Sequence, residues 1–268
     1  MFLALDWIQP WYRSVRSTAE LIRNDSLWIN GINDLFTRLE LTNHRGLPLS
    51  LIDQAALPQE VAYESFISET GQIPTRNNLH DFFNALVWLT FPKIKQQLNA
   101  LQAAQIASQG IRKSRGSLRD AATLFDENAA FLVISNTPEG HEIKSAIQQH
   151  EWFSAFIDQR EKFSHHAELW LFGHALMEKL SAPYKSITAH AWTVLAPSNF
   201  FSMNDMNRKH WLDEHISNAL QMQKDHVKEK PWFTPLPVLG VPGWWTDQDH
   251  EFYADTKVFR PKKVKHSP

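Results

Sequence analysis

Asn77, His80, Asp81, Asn84 and Trp88 fall at offsets of 0, 3, 4, 7 and 11, a spacing that places all five on one face of a helix. Most of the surrounding residues are Phe82, Phe83, Leu86, Val87, Leu89 and Phe91, so a helix over about Leu79 to Phe91 is apolar nearly all round. A polar stripe on such a helix has two readings. It faces water, the commonest role of a polar helix face, or it is satisfied inside the protein by hydrogen bonds, a metal ion or a ligand. The stripe carries none of the Lys, Glu or Gln typical of solvated faces until Lys95, which speaks for the second. A histidine beside a carboxylate is also a natural general base or metal ligand.

Two further clusters carry similar chemistry. Arg112, Arg115, Arg119, Asp120 and Thr123 lead into Asp126-Glu127-Asn128, just before an apolar run that starts at Ala129. The arginines suit a phosphate or carboxylate, and the acids suit a divalent cation; an intrahelical ion-pair network with a polar turn is the bland alternative. His174 and Glu178 lie one helical turn apart within the apolar run from Leu169 to Leu180. They suit a metal pair or a plain histidine-carboxylate hydrogen bond in the core. His190 sits in an expected strand between small neighbours and is a further candidate ligand.

Missing motifs narrow the field. The chain has no G-x-G-x-x-G, Walker loop, H-E-x-x-H, G-x-S-x-G or C-x-x-C. His80-Asp81 resembles the doublet of the HD-type phosphohydrolases, with His44 and Asp120 as the outlying ligands that reading requires. The small residues usual after such a doublet are replaced here by Phe82 and Phe83.

The elements that must position these residues are mainly helical. Pro58 to Thr70, ending at Gly71, reads as a helix, and Pro92 and Gly110 bracket another over Lys93 to Gln109. Apolar spacing of three and four predicts helices over Leu79 to Phe91, Ser117 to Phe125, Gly140 to Phe163, His165 to Leu180 and Asn204 to Met222. Phe131 to Ser135 and Ile187 to Leu195 are short and rich in β-branched and aromatic residues, so they read as strands. The fold class is therefore α+β, predominantly helical, with a small short-stranded sheet.

The chain has 268 residues, 43% hydrophobic and 21% charged, which is enough for one sizeable core. Residues 1–261 read as a single domain. Within it, 231–261 form a Pro- and Trp-rich arm too apolar to leave in water, in which regular structure is expected to stop; 262–268 form a basic flexible tail. With 27 basic and 29 acidic residues no global field attracts nucleic acid. The longest apolar run, Ala129 to Ile134, is far short of a bilayer span, so no membrane association is expected. Met1 to Trp7 lacks a basic leader, so no export signal is expected either. Zero cysteines exclude disulfides and thiolate chemistry and suit a reducing cytoplasm.

Long motifs in a fixed order resemble a bacterial family known as domain of unknown function 3025. They are Tyr63-Glu64, Gly71 with Ile73 to Arg76, Asn77 to Pro92, Arg119 to Asn128, Phe172 to Leu176, Pro235 to Trp244 and Val258 to Pro261. The resemblance covers nearly the whole chain and implies a bacterial protein, compatible with a cytoplasmic one. It carries no catalytic assignment, but the three polar clusters fall inside the segments that carry it.

The sequence thus leads to an enzyme or ligand-binding domain with a central site built from His80, Asp81 and Asn84. Arg119, Asp120 and His174 are further catalytic candidates. His80, Asp81, Asp126, Glu127, His174, Glu178 and His190 are candidate ligands of a divalent metal. The expected chemistry is hydrolytic or acid-base, metal-assisted, on a small anionic substrate. The rival is a non-catalytic interaction protein in which the polar clusters are structural networks and Trp232 to Trp245 is a docking surface for a protein partner.

Overall fold

The computed structural model describes residues 5–22, 28–109, 117–222 and 233–262. Two N-terminal helices, α1 (Arg13–Ile22) and α2 (Trp28–Arg38), lead to a pair of short parallel strands, β1 (Ser50–Asp53) and β2 (Gln72–Thr75). Helix α3 (Tyr63–Thr70) links the two strands and ends at Gly71, whose φ of 73° suits a residue without a side chain. The helix expected from Pro58 starts five residues later. Val61 N–H bonds back to Pro58 in a turn, and residues 59 and 60 are exposed, with nothing to pack against.

Helices α4 (Leu79–Thr90), α5 (Pro92–Gln109) and α6 (Ser117–Asn128) follow, much as their apolar spacing predicts. Asn78 caps α4 by accepting a bond from Asp81 N–H. From Asp81 to Leu89 every residue of α4 is buried. Each large apolar side chain in that run contributes about 1.5–3 kcal/mol, so α4 is central to the fold.

A second sheet has the order β4-β3-β5-β6. Its centre is β3 (Ala129–Ser135), buried at every residue and parallel to β5 (Thr188–Ala196). Continuous burial, rather than alternation, is what a strand covered on both faces shows. Its other neighbour is β4 (Ala167–Leu171), antiparallel to it. That strand overturns the helix expected from His165 to Leu180, which is limited to α9 (His174–Lys179). Ala167, Leu169, Trp170 and Leu171 are all buried, and periodicity alone does not separate a buried strand from a buried helix.

The long helix expected over Gly140 to Phe163 is also divided. Helix α7 (Pro138–Gln149) stops at His150, which adopts the left-handed conformation at φ 59°, and α8 (Arg160–His166) begins after a wide turn over Ser154–Asp158. Neither Gly nor Pro marks the break. Helix α10 (Asp205–Met222) packs against α5.

The C-terminal arm is mostly irregular but contributes an edge strand, β6 (Thr234–Pro237), and a short helix, α11 (His250–Ala254). Proline at 235 and 237 is tolerated because β6 pairs only with β5. Leu236, Val238 and Leu239 are fully buried, and the buried Gln248 side chain donates to the carbonyls of Leu239 and Val241, both at 2.8 Å. The tail expected at 262–268 lies almost wholly outside the described residues, as does Trp232. One contiguous apolar cluster runs from Trp7 to Phe259, which agrees with a predominantly helical α+β fold. Among the described residues no helix is long and apolar enough to cross a membrane.

Candidate active site

Helices α3, α4, α5, α6 and α9 meet around a cleft of about 450 Å3, whose wall also includes Gln54 and Leu57 after β1 and Pro74 and Arg76 at the end of β2. His80, Asp81 and Asn84 of α4 line it together with Thr123, Asp126 and Glu127 of α6 and His174 of α9. The three polar clusters of the sequence therefore share one cavity. The stripe on α4 faces this cavity and the interior: His80 and Asn84 face the cleft, Trp88 is buried, and Asn77 accepts a bond from the Trp28 indole at 2.8 Å.

The two histidines are in contact. His80 Nε2 and His174 Nε2 stand 3.1 Å apart, and Glu127 Oε2 lies 3.7 Å from His174 Nε2. One ligand atom from each of His80, His174 and Glu127 fits within 4.8 Å of the others. On its other nitrogen His80 meets the Glu178 carboxylate at 2.8 Å. His174 is 4% exposed, and its Nδ1 has no hydrogen-bond partner, with Asp126 Oδ2 at 3.7 Å. Burial pushes the His174 imidazole down to about 4, against a smaller opposing effect of Asp126, so the ring is neutral near pH 7. Burial also raises the Glu127 carboxyl.

Asp126 is held otherwise. Its Oδ1 accepts from the buried Lys95 ammonium at 2.6 Å. Burial opposes ionisation of Asp126, but the Lys95 ammonium beside it keeps the carboxyl below its usual value. Lys95 Nζ also donates to Asn84 Oδ1 at 2.9 Å and lies 5.2 Å from the centre of the Trp88 ring. Asp81 accepts from Arg76 backbone N–H at 2.6 Å and from its guanidinium at 3.0 and 3.1 Å, so it ties the end of β2 to α4. It lines the cleft as an occupied carboxylate.

Backbone contact sets the spacing of α6 and α9. A Cβ at Gly173 would lie 2.5 Å from both Glu127 O and Asn128 N. Only glycine lets the start of α9 come this close to the end of α6.

Other candidates are not brought in. Asp120 is exposed on α6 and is absent from the cleft wall. His190 Nδ1 bonds the Asn128 amide at 2.9 Å outside the cleft. Glu178 reaches the site only through His80. Arg112 and Arg115 lie outside the described residues, and so does the side chain of Arg119. The HD-type arrangement is not assembled: His44 Nε2 bonds Ser68 Oγ at 2.8 Å, Asp81 is engaged by Arg76, and Asp120 faces away.

Residues 49–263 match the model of a family described as a protein of unknown function, DUF3025. The chain belongs to the DUF3025 family. Every residue that lines the cleft falls inside the segment shared with DUF3025. No curated protein and no solved structure matches the chain.

Lys95, Tyr63 and Gln102 belong to the site without being among the candidates that residue type and spacing single out, although all three lie in the DUF3025 segment. Lys95 lies 11 residues beyond Asn84, the interval that separates Trp88 from Asn77, so it continues the stripe across Pro92. That spacing was the available signal. Tyr63 and Gln102 come from α3 and α5, and no local pattern links them to His80.

Proposed function

We propose that the cleft is the active site of a metal-dependent enzyme, with His80, His174 and Glu127 holding one divalent ion for hydrolytic chemistry on a small substrate. The observation that carries this reading is the 3.1 Å approach of two imidazole Nε2 atoms beside the Glu127 carboxylate on the wall of a cleft. Two nitrogens each about 2.0–2.1 Å from a tetrahedral zinc ion stand about 3.4 Å apart, close to this spacing.

The tautomers point the same way. Glu178 requires a proton on His80 Nδ1, which leaves the Nε2 lone pair facing His174. If His174 Nε2–H donates to it, the remaining lone pair of His174 sits at the buried, unpartnered Nδ1 near the Asp126 carboxylate. With both Nε2 lone pairs turned to one cation, His174 Nδ1 carries its proton toward Asp126. Each ring is then backed by a carboxylate, as metal-ligating histidines usually are.

Three protein ligands leave room for water and substrate on the ion. An ion of this class supplies a hydroxide nucleophile at neutral pH and polarises the oxygen under attack. Arg76, which lines the cleft with its side chain 59% exposed, adds a cation suited to a small anionic substrate. The lack of cysteine suits the bacterial cytoplasm in which this reading places the enzyme.

Elemental analysis tests the reading on untagged protein purified without chelator and reloaded with zinc, iron or manganese. The expected result is near-stoichiometric metal in the wild type, lost in His80→Ala, His174→Ala and Glu127→Gln and kept in Asp120→Asn and His190→Ala. A wild type that retains no metal after reloading, or retention by all three ligand variants, overturns it.

A further inference from the structure

The hydrogen bonds behind the cleft run in one direction, and their polarity can be assigned from chemistry alone. The Lys95 ammonium, paired with Asp126, only donates. Its bond to residue 84 therefore fixes the Asn84 carbonyl oxygen toward Lys95 and the amide nitrogen toward Tyr63. Asn84 Nδ2 lies 3.2 Å from Tyr63 Oη, so the phenol oxygen is the acceptor in that contact. Its own proton has to go elsewhere, and Tyr63 lines the cleft.

We infer that Tyr63 is a hydrogen-bond donor to the substrate, presenting its hydroxyl proton to an oxygen that gains negative charge in the reaction. The substrate class is then a carbonyl or comparable oxygen-bearing electrophile such as an amide or ester, with that oxygen directed at Tyr63. The donor geometry rests on Lys95, Asn84 and Tyr63 alone; its catalytic use rests on the cleft being the active site. Burial first, and then the charges of Glu64, Asp81 and Asp126, hold the Tyr63 phenol well above its ordinary value, so the proton stays on the ring oxygen at neutral pH. A neutral donor fixed in position before reaction is the kind of group that stabilises an oxyanion without reorganising.

The direct test is neutron diffraction from deuterated, metal-free crystals of the full chain. Deuterium on the cleft side of Tyr63 Oη supports the inference, and deuterium between Tyr63 and Asn84 overturns it. The functional test is calorimetric titration of the zinc-loaded protein with acetohydroxamate. Tyr63→Phe removes only the hydroxyl. Asn84→Asp keeps the shape of the side chain but replaces the donor with an acceptor, which draws the Tyr63 proton out of the cleft while leaving the tyrosine in place. Both should weaken acetohydroxamate binding about 10-fold or more with zinc content unchanged; wild-type affinity in either variant overturns the inference. Elemental analysis of the same samples separates the two readings. A wild type that takes up no zinc sinks the metal centre, and the deuterium position still decides the donor.

Discussion

Among the described residues, one cluster of charge at the cleft and another behind β4 differ in completeness. Behind β4, Glu168 accepts from Arg208 and from the Trp170 indole, and Arg13 lies 3.4 Å away. Arg208 also donates to the carbonyls of Phe200 and Phe201, and Arg13 forms a two-pronged pair with Asp205 at 2.7 and 3.0 Å. None of these side chains lines the cleft. At the cleft, Lys95 and Asp126 satisfy one another, while His174 keeps an unpartnered buried nitrogen and His80, His174 and Glu127 converge on a common point. Buried charge by itself therefore does not set the cleft apart. What sets it apart is a convergent donor set, open on one side, whose bonding is incomplete.

Removing one charge from the complete cluster tests whether the two are independent. Glu168→Ala leaves Arg208 buried without its carboxylate and should cost about 3–5 kcal/mol in denaturant unfolding, with metal uptake per folded molecule unchanged. A loss of metal uptake in that variant would show that the two clusters are not independent.

Helix α10 serves both regions. Arg208 belongs to the cluster behind β4, whereas Asp213 accepts from Lys93 N–H at 3.1 Å and Ile94 N–H at 2.9 Å, at the start of the helix that carries Lys95. Burial pushes the Asp213 carboxyl up to about 6, against the lowering effect of those two bonds. A raised folded-state value favours the protonated form, so this contribution to stability is full below about 4 and is lost as pH rises through 6. The stability difference between wild type and Asp213→Asn should accordingly move against the wild type by about 2 kcal/mol between pH 4 and 7, read by urea unfolding at each pH. A flat difference would show that the two backbone bonds outweigh burial.

The smallest expected effect lies at Glu178. It is half exposed and touches the site only through His80 Nδ1, so Glu178→Gln should weaken zinc binding about 10- to 100-fold in competition with a chelator. Unfolding stability of the metal-free chain should change by less than about 1 kcal/mol. A large stability loss with unchanged zinc affinity would place Glu178 with the structural ion pairs instead.

How much of this was legible in the sequence depended on whether the signal was local. The stripe on α4 and the start of α5 were readable, because helical spacing and Pro92 lie within a few turns; the stop expected at Gly110 lies outside the described residues. His80, Asn84, Asp126, Glu127 and His174 were named for the same reason, by residue type and spacing on single elements. The break at His150 was not readable, since a left-handed histidine carries no compositional mark. Strand β4 was missed because burial of all its residues but Glu168 removes the alternation that separates a strand from a helix. Tyr63 stayed hidden because its role follows from which way an amide on another helix is turned, and that depends on a lysine on a third.

Gly173 has a consequence for tolerance to change. The start of α9 rests on the end of α6 main chain against main chain, a contact that a change of rotamer does not alter. Any side chain at 173 would have to push these two backbones apart, and with them the main chain that carries Glu127 and His174. The distance between the two elements therefore rests on a residue that has no side chain.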